Sequence, residues 1–398
     1  MSDSVITTAG RMTLSSPDAF LASIPHMIGF PPTDSIVIVG LGPDHPGAAS
    51  TVRVTQRFDR PPAGIAGDEA RQLAAQATEP MIRSGSTEVI IAVFADQYPD
   101  PDSELPDAPL VDALITALDD GDVGIRDALY TDGTSRWSYG CDNPSCCPPT
   151  GRVIPEKVRT LVAAEFALAG SAMVDSRETL AAEVAPTDAA ARAQVAVQVR
   201  AAEQARDDAL AAPGTNPTST TDGPSGGRED WREQSITQIA AVTSGAPAGT
   251  PELARVAVGL GDIRVRDTVL WDLMQPTADT SAAIAGLAST VRHAPEGHVA
   301  PAATVLAICH WTTGDGARAD AALQRAHDDD PDYSLAALVR TSLGAGLPPQ
   351  SWRDALAGLT RDTCRHGEPP RAPQAIVPAV AAPRARAAIT ASPPGLAL

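Results

Sequence analysis

Ser35-Ile36-Val37-Ile38-Val39-Gly40-Leu41 is an unbroken apolar, β-branched run with turn-forming residues at both ends, and its reading sets the fold. A run so short and so uniformly apolar predicts a strand covered on both faces, because a half-exposed strand would place polar side chains at alternate positions. Thr51-Val-Arg-Val-Thr-Gln-Arg-Phe58 has that alternation. It predicts a half-exposed strand, hairpin-paired with the first through the Gly/Pro/Asp-rich turn at 42–49. Upstream, Ser16-Pro17-Asp18 supplies a helix cap followed by a proline at the first helical position. Phe20, Leu21, Ile24, Met27 and Ile28 then recur at helical spacing until Gly29 and Pro31-Pro32 stop the helix.

Two further cycles follow downstream. Ala70, Leu73, Ala74, Ala77, Met81 and Ile82 lie at helical spacing between Asp68 and Arg83, and Glu88–Phe94 returns to a buried strand pattern. Leu110–Leu118 reads as helix after the acidic loop Asp100–Asp107, and Val123–Tyr130 as strand. Such alternation implies parallel crossovers with helices on the sheet faces, so residues 12–154 are expected to form an α/β domain with a mixed, partly parallel sheet. Ligands bind such sheets outside the carboxyl ends of the strands. Asp96, just past Glu88–Phe94, is therefore a candidate site residue.

The domain ends in the chain's most distinctive segment, Arg136-Trp-Ser-Tyr-Gly-Cys141-Asp-Asn-Pro-Ser-Cys146-Cys147-Pro-Pro-Thr-Gly151, which holds three of the five cysteines. It follows the strand ending near Tyr130, so it is expected at the carboxyl rim. Three readings stand side by side. Cys141, Cys146 and Cys147 could hold a metal ion, zinc first, although no C-x-x-C is present and a fourth ligand would come from elsewhere. They could act as a redox switch or nucleophile, with Arg136, Arg152 or the helix after Pro155 lowering a thiol pKa and with Tyr139 and Asp96 nearby. Or the cysteines pack with Trp137 and Tyr139 under a proline-clamped loop, their reactivity incidental. Cys146 and Cys147, about 3.8 Å apart at Cα, are too close for an unstrained disulfide, whereas Cys141 could bridge to either. His26 could serve a thiol as base or be a partly buried structural histidine. Asp34-Ser35 reads as a turn cap or a polar ligand contact.

After Gly151 the composition becomes helical. Residues 155–211 read as a helical extension over Glu156–Leu168, Arg177–Val184 and Asp188–Leu210. Residues 212–228, Pro/Gly/Ser/Thr-rich, read as a flexible linker. Residues 229–362 read as an all-α region of helical hairpins. Ala302–Trp311 and Ala317–His327, joined by Gly314-Asp-Gly316 and closed by Asp330-Pro331-Asp-Tyr333, make one tetratricopeptide-like hairpin, with Cys309 in its core. Residues 363–398, ending Pro/Ala/Arg-rich, are expected to be a disordered tail.

Over 398 residues the formal charge is −19, which excludes the broad phosphate neutralisation a nucleic-acid binder needs. No apolar stretch is long enough to span a bilayer, and the N-terminus has no secretory pattern. With an odd number of cysteines, a reduced cytoplasmic protein is expected.

Leu21-x-x-Ile24-Pro-x-x-Ile28-Gly-Phe-x-Pro-x-Asp34-Ser35, Trp137-Ser-Tyr139-x-Cys141 with Cys146-Cys147-Pro148 and Gly151, and Gly314-Asp-Gly316 with Asp330-Pro331-x-Tyr333 together resemble the actinobacterial family catalogued as domain of unknown function 4192. The resemblance covers most of residues 12–353 outside the linker. It implies a cytoplasmic bacterial origin and transfers no catalytic role. In that family an aromatic residue is expected at His26. Two functions are carried forward: a protein-interaction or regulatory module in which the helical region meets a protein partner and the cysteine loop is structural, and a thiol-dependent enzyme or redox or metal sensor.

Overall fold

Ser16 caps the first helix by accepting from the Ala19 amide, and Gly29 ends it at φ 84°, a left-handed conformation that glycine adopts without strain. Pro31-Pro32 cannot extend a helix, so the chain passes straight into the strand that organises the sheet. The computed structural model describes residues 5–8, 11–14, 16–45, 47–62, 64–170, 173–211 and 225–367. In chain order the elements are β1 (Val5–Thr8), β2 (Arg11–Leu14), α1 (Pro17–Ile28), β3 (Ser35–Pro43), β4 (Ser50–Asp59), α2 (Gly67–Arg83), β5 (Glu88–Phe94), α3 (Ala108–Asp120), β6 (Gly124–Thr131), β7 (Ser135–Ser138), β8 (Arg152–Val153), α4 (Glu156–Leu168), α5 (Arg177–Ala182), α6 (Ala189–Ala211), α7 (Ser225–Thr243), α8 (Thr250–Leu260), α9 (Ile263–Leu273), α10 (Thr280–His293), α11 (Ala300–Thr312), α12 (Gly316–Asp329), α13 (Ser334–Gly344), α14 (Pro349–Leu356) and α15 (Arg361–His366).

The main sheet has the order β4-β3-β5-β6-β7-β8. The expected hairpin is present, β3 against β4, and β3 also pairs antiparallel with β5. Both helical crossovers join strands that run the same way, β4 to β5 and β5 to β6. Because β3 lies between β4 and β5, however, β5–β6 is the one adjacent parallel pair among the described residues. The carboxyl ends of β4, β5 and β6 therefore share one rim, and β3 starts there, Ser35 standing opposite both Asp59 and Phe94.

Alternation along β3 feeds two cores. Ile36 and Ile38 pack with Val89, Ile91 and Val93 beneath Ala70, Ala74, Met81, Leu110, Leu114 and Leu118 of α2 and α3. Val37, Val39 and Leu41 face the other way with Ile90, Ala92 and Phe94, under Phe20, Leu21 and Ile24 of α1 and Leu180 of α5. Burying an aliphatic side chain of this size stabilises by roughly 1.5–3 kcal/mol, which is why a strand apolar on both sides needs helices on both sides. Val158 and Val162 of α4 then cover Ala19 on the outside of α1.

In the helical half, the expected hairpin is α11 and α12, with Asp315 capping α12 through the Arg318 amide. From Ala302 to Thr312 every residue of α11 is buried, as befits a helix apolar all round. Its core is shared with residues of α7 through α13, so α11 is the axis of a bundle. A stacked repeat, by contrast, would touch only its two neighbours. Among the described residues no helix is long and apolar enough to cross a membrane.

Some boundaries shift. Helix α7 begins at Ser225, inside the stretch 212–228 read as linker, and residues 212–224 lie outside the described residues. Helix α15 runs through 363–366, the start of the expected tail, with Cys364 buried, and residues 368–398 lie outside the described residues. Strands β1, β2, β7 and β8, of four residues or fewer, are too short to show a period and are not foreseen by the sequence reading.

Candidate functional site

The tight turn after β6 decides where the cysteines go. Asp132 accepts from the amides of Thr134 and Ser135, an Asx arrangement that reverses the chain, so β7 runs back along β6. Tyr139 donates its amide to the Ala128 carbonyl, three residues short of the rim at Thr131. The cysteine connector therefore starts part-way down the sheet and returns to the carboxyl rim, where Arg152 of β8 stands opposite Arg136 and Thr150 accepts from Tyr98, just past β5. Asp96 is exposed at that rim on the connection following β5, close in sequence to Tyr98, whose hydroxyl donates to Thr150 of the cysteine segment.

Alternation along β7 divides the neighbouring candidates. Trp137 and Tyr139 face the α2–α3 side and Arg136 the α1 side, where its guanidinium is ion-paired with Asp18; both side chains are buried. Arg136 is thus a structural cation committed to Asp18, on the opposite face of the sheet from Trp137. Arg152, its cross-strand neighbour on β8, is exposed. His26 stacks on Phe166 of α4 at 4.9 Å, and burial pushes its pKa down. It is half-buried in a stacking contact on the α1 side of the sheet. Asp34-Ser35 forms the turn into β3, and the Ser35 hydroxyl donates to the Thr33 carbonyl. Cys309, within α11, has its thiol pushed up to about 12 by burial and is inert core.

An aromatic clamp holds the loop. The Trp137 indole N–H donates to the Pro149 carbonyl at 3.0 Å, and its ring meets Tyr98 and Tyr130 edge-on at 5.2 and 5.8 Å. Tyr98 donates its hydroxyl to Thr150, and Tyr130 to Gln97. The Tyr139 hydroxyl donates to Pro106 at 2.5 Å, and burial raises its pKa far above the ordinary phenol value. It remains a neutral donor fixed on a backbone carbonyl, unsuited to proton transfer with the thiols.

Asn143, unremarked in the sequence, shapes the tip. Its carbonyl accepts from the amides of both Cys146 and Cys147, at 3.1 and 2.8 Å, and its side chain accepts from Ser145. Winding about one oxygen lets the vicinal cysteines aim their sulfurs at one place. The Cys141 and Cys146 sulfurs are 3.3 Å apart, and all three sulfurs lie within 4.8 Å of one another. The Asn143 amide, with the thiols of Cys146 and Cys147, donates to the Cys141 sulfur and lowers its pKa. Cys147 is shifted the other way, to about 12, by burial and by its thiol's hydrogen bonds to the other two sulfurs. The only sequence signal for Asn143 is the turn tendency of Asp-Asn-Pro-Ser.

Three sulfurs set this way suit a soft ion. Zinc with Zn–S bonds near 2.3 Å in tetrahedral geometry has S···S edges of about 3.8 Å, within the range spanned by the 3.3 Å contact and the 4.8 Å limit. The fourth position would fall to water or to a partner's ligand. The family profile described as Domain of unknown function (DUF4192) matches residues 17–350. Neither the curated proteins nor the solved structures contain a match to the chain.

Proposed function

The chain belongs to the family described as Domain of unknown function (DUF4192), and we propose that it is a regulatory module whose Cys141, Cys146 and Cys147 bind a soft metal ion, zinc first. The observation that carries this reading is the convergence of the three sulfurs on a clamped loop. The helical half is the part assigned to a protein partner, its cleft of about 220 Å³ beside Trp271, Met274 and Leu356 offering a concave face. A bound cation would draw the proton even from Cys147, because a coordinating thiol is deprotonated outright. Binding must then release protons, and affinity must fall as pH falls.

Cobalt titration of the chelator-stripped, reduced protein tests this. One equivalent is expected to give a thiolate charge-transfer band that zinc abolishes. Structural sites of four ligands are worth roughly 10–16 kcal/mol, so losing one thiolate removes about 3 kcal/mol. Cys146→Ser should therefore bind about 100-fold more weakly. No band, or an unchanged affinity in Cys146→Ser, would sink the metal reading.

A second reading is favoured by the 3.3 Å sulfur contact. Hydrogen peroxide would accept the two electrons as Cys141 and Cys146 lose their protons and join, leaving as two waters. It requires Cys141 to be the reactive thiol, as its lowered pKa suggests. Iodoacetamide on the native protein should label Cys141 first and Cys147 slowly, and Cys309 and Cys364 only after unfolding, as read by peptide mass spectrometry. Equal labelling of Cys141 and Cys147 would remove this reading.

A further inference from the structure

The carboxyl rim carries a different feature where β3 begins and β4 ends. A cleft of about 400 Å³ opens there, lined by Phe30, Thr33 and Asp34 from the turn before β3, by Arg57, Asp59 and Arg60 at the end of β4, and by Asp175 to Glu178 leading into α5. The turn residues belong to the Ile-Gly-Phe-Pro-Pro-x-Asp-Ser motif, for which the cysteine site has no use.

Charge is layered in this cleft. Arg57 and Arg60 form its floor, their side chains 16 % and 14 % exposed, whereas their carboxylate neighbours Asp59 and Asp34 are 73 % and 74 % exposed. The floor is held from behind: Arg57 donates from Nε to the buried Ser35 hydroxyl at 2.9 Å and lies over the Phe30 ring, and Arg60 pairs at 2.5 Å with the buried carboxylate of Asp107. Toward solvent, Arg57 meets Asp59 at 2.6 Å and Arg60 meets Asp34 at 3.5 Å. Ion pairs so exposed contribute little, so a ligand carboxylate could take their place on the arginine forks, which suit carboxylates in geometry. Asp34, Asp59, Asp175 and Glu178 would then surround whatever part of the ligand points outward, beside Arg177, which pairs away from the cleft with Asp320 at 3.9 Å.

We propose that this cleft binds a small zwitterion, an amino acid or dipeptide, with its carboxylate on Arg57 and Arg60 and its ammonium among the rim carboxylates. The volume lies at the small end of ligand pockets, about 300–1,000 Å³, and ligands of α/β sheets bind at this edge. The proposal stands apart from the metal reading.

Calorimetric titration of the full chain with each of the twenty free amino acids and with Gly-Xaa dipeptides decides it, with propionate and ethylamine as single-charge controls. At least one zwitterion should bind, and both controls should bind at least about tenfold more weakly. The free-acid and dipeptide arms separate the two ligand sizes. Arg57→Gln should weaken binding about tenfold or more while leaving cobalt binding at the cysteines unchanged. Should Arg57→Gln fail to fold, the exposed double variant Asp175→Asn with Glu178→Gln decides instead, losing zwitterion affinity and keeping that for propionate. No zwitterion bound at about 10 mM, propionate bound as tightly as the best zwitterion, or unchanged binding in a folded Arg57→Gln would overturn the proposal.

Discussion

Asp18→Ala should destabilise the N-terminal sheet by about 3–5 kcal/mol, the cost of leaving a buried charge without its partner. Asp18 in the first turn of α1 and Arg136 on β7 form an ion pair with side chains 4 % and 8 % exposed, tying the outer helix to the sheet's shorter half across 118 residues of sequence. Removing the carboxylate strands a guanidinium that cannot deprotonate at any accessible pH. The helix also loses an acidic group near its positive end, worth about 0.3–1 kcal/mol. The sharper expectation concerns the pair. Arg136→Met alone should also destabilise, because Asp18 is then orphaned, yet Asp18→Leu with Arg136→Met should recover most of the loss, since a packed apolar replacement for a buried pair is often neutral. Urea unfolding, together with hydrogen-exchange protection of the β6 and β7 amides, measures both. An Asp18→Ala cost below about 1 kcal/mol, typical of exposed pairs, would mean that water reaches the pair.

Gly151→Ala should cost about 2–5 kcal/mol and also disable the sulfur cluster. Gly151 has φ 75°, and an added Cβ would lie 2.4 Å from Cζ2 of the Trp137 ring. The left-handed backbone accounts for roughly 1–2 kcal/mol with any L side chain. Overpacking against a buried ring adds roughly 1–3 kcal/mol. Trp137 is held by Tyr98, Tyr130 and the Pro149 carbonyl, so moving the indole breaks the bond that holds the loop down. Cobalt affinity should therefore fall in parallel with stability, although no cysteine has changed. Full metal affinity in a destabilised Gly151→Ala would show that the sulfurs converge without the clamp.

These two sites differ in how far the sequence revealed them. Gly151 and Trp137 stand together in the cysteine segment, but their contact depends on β8 returning beside β7, and two residues carry no periodic signal. Asp18 reads only as a first-turn acid. Arg136 reads as a cation beside the thiols, and the single-residue alternation of a strand put it through the sheet to the other face. Convergence of the sulfurs was equally hidden, because it rests on the carbonyl of Asn143 accepting two amides. The rim cleft was hidden for another reason. Arg57 reads as an ordinary polar position on an alternating strand, and its role in a site depends on Phe30, Asp107 and Asp175 arriving from three other parts of the chain.

Local pattern alone determined that β3 is covered on both faces, that β4 is its hairpin partner, that two helix–strand cycles follow, and that a long helical region with the α11–α12 hairpin comes after them. Burial periodicity, caps and turn residues act over a few residues, so these features can be read from neighbours in sequence. Only the tertiary structure decided that β5 lies beside β3, that β7 reverses along β6, that α11 is the axis of its bundle, and that arginines collect at the rim where β4 ends. Those outcomes depend on strand direction and on which face each residue meets. Both are settled by contacts between distant segments.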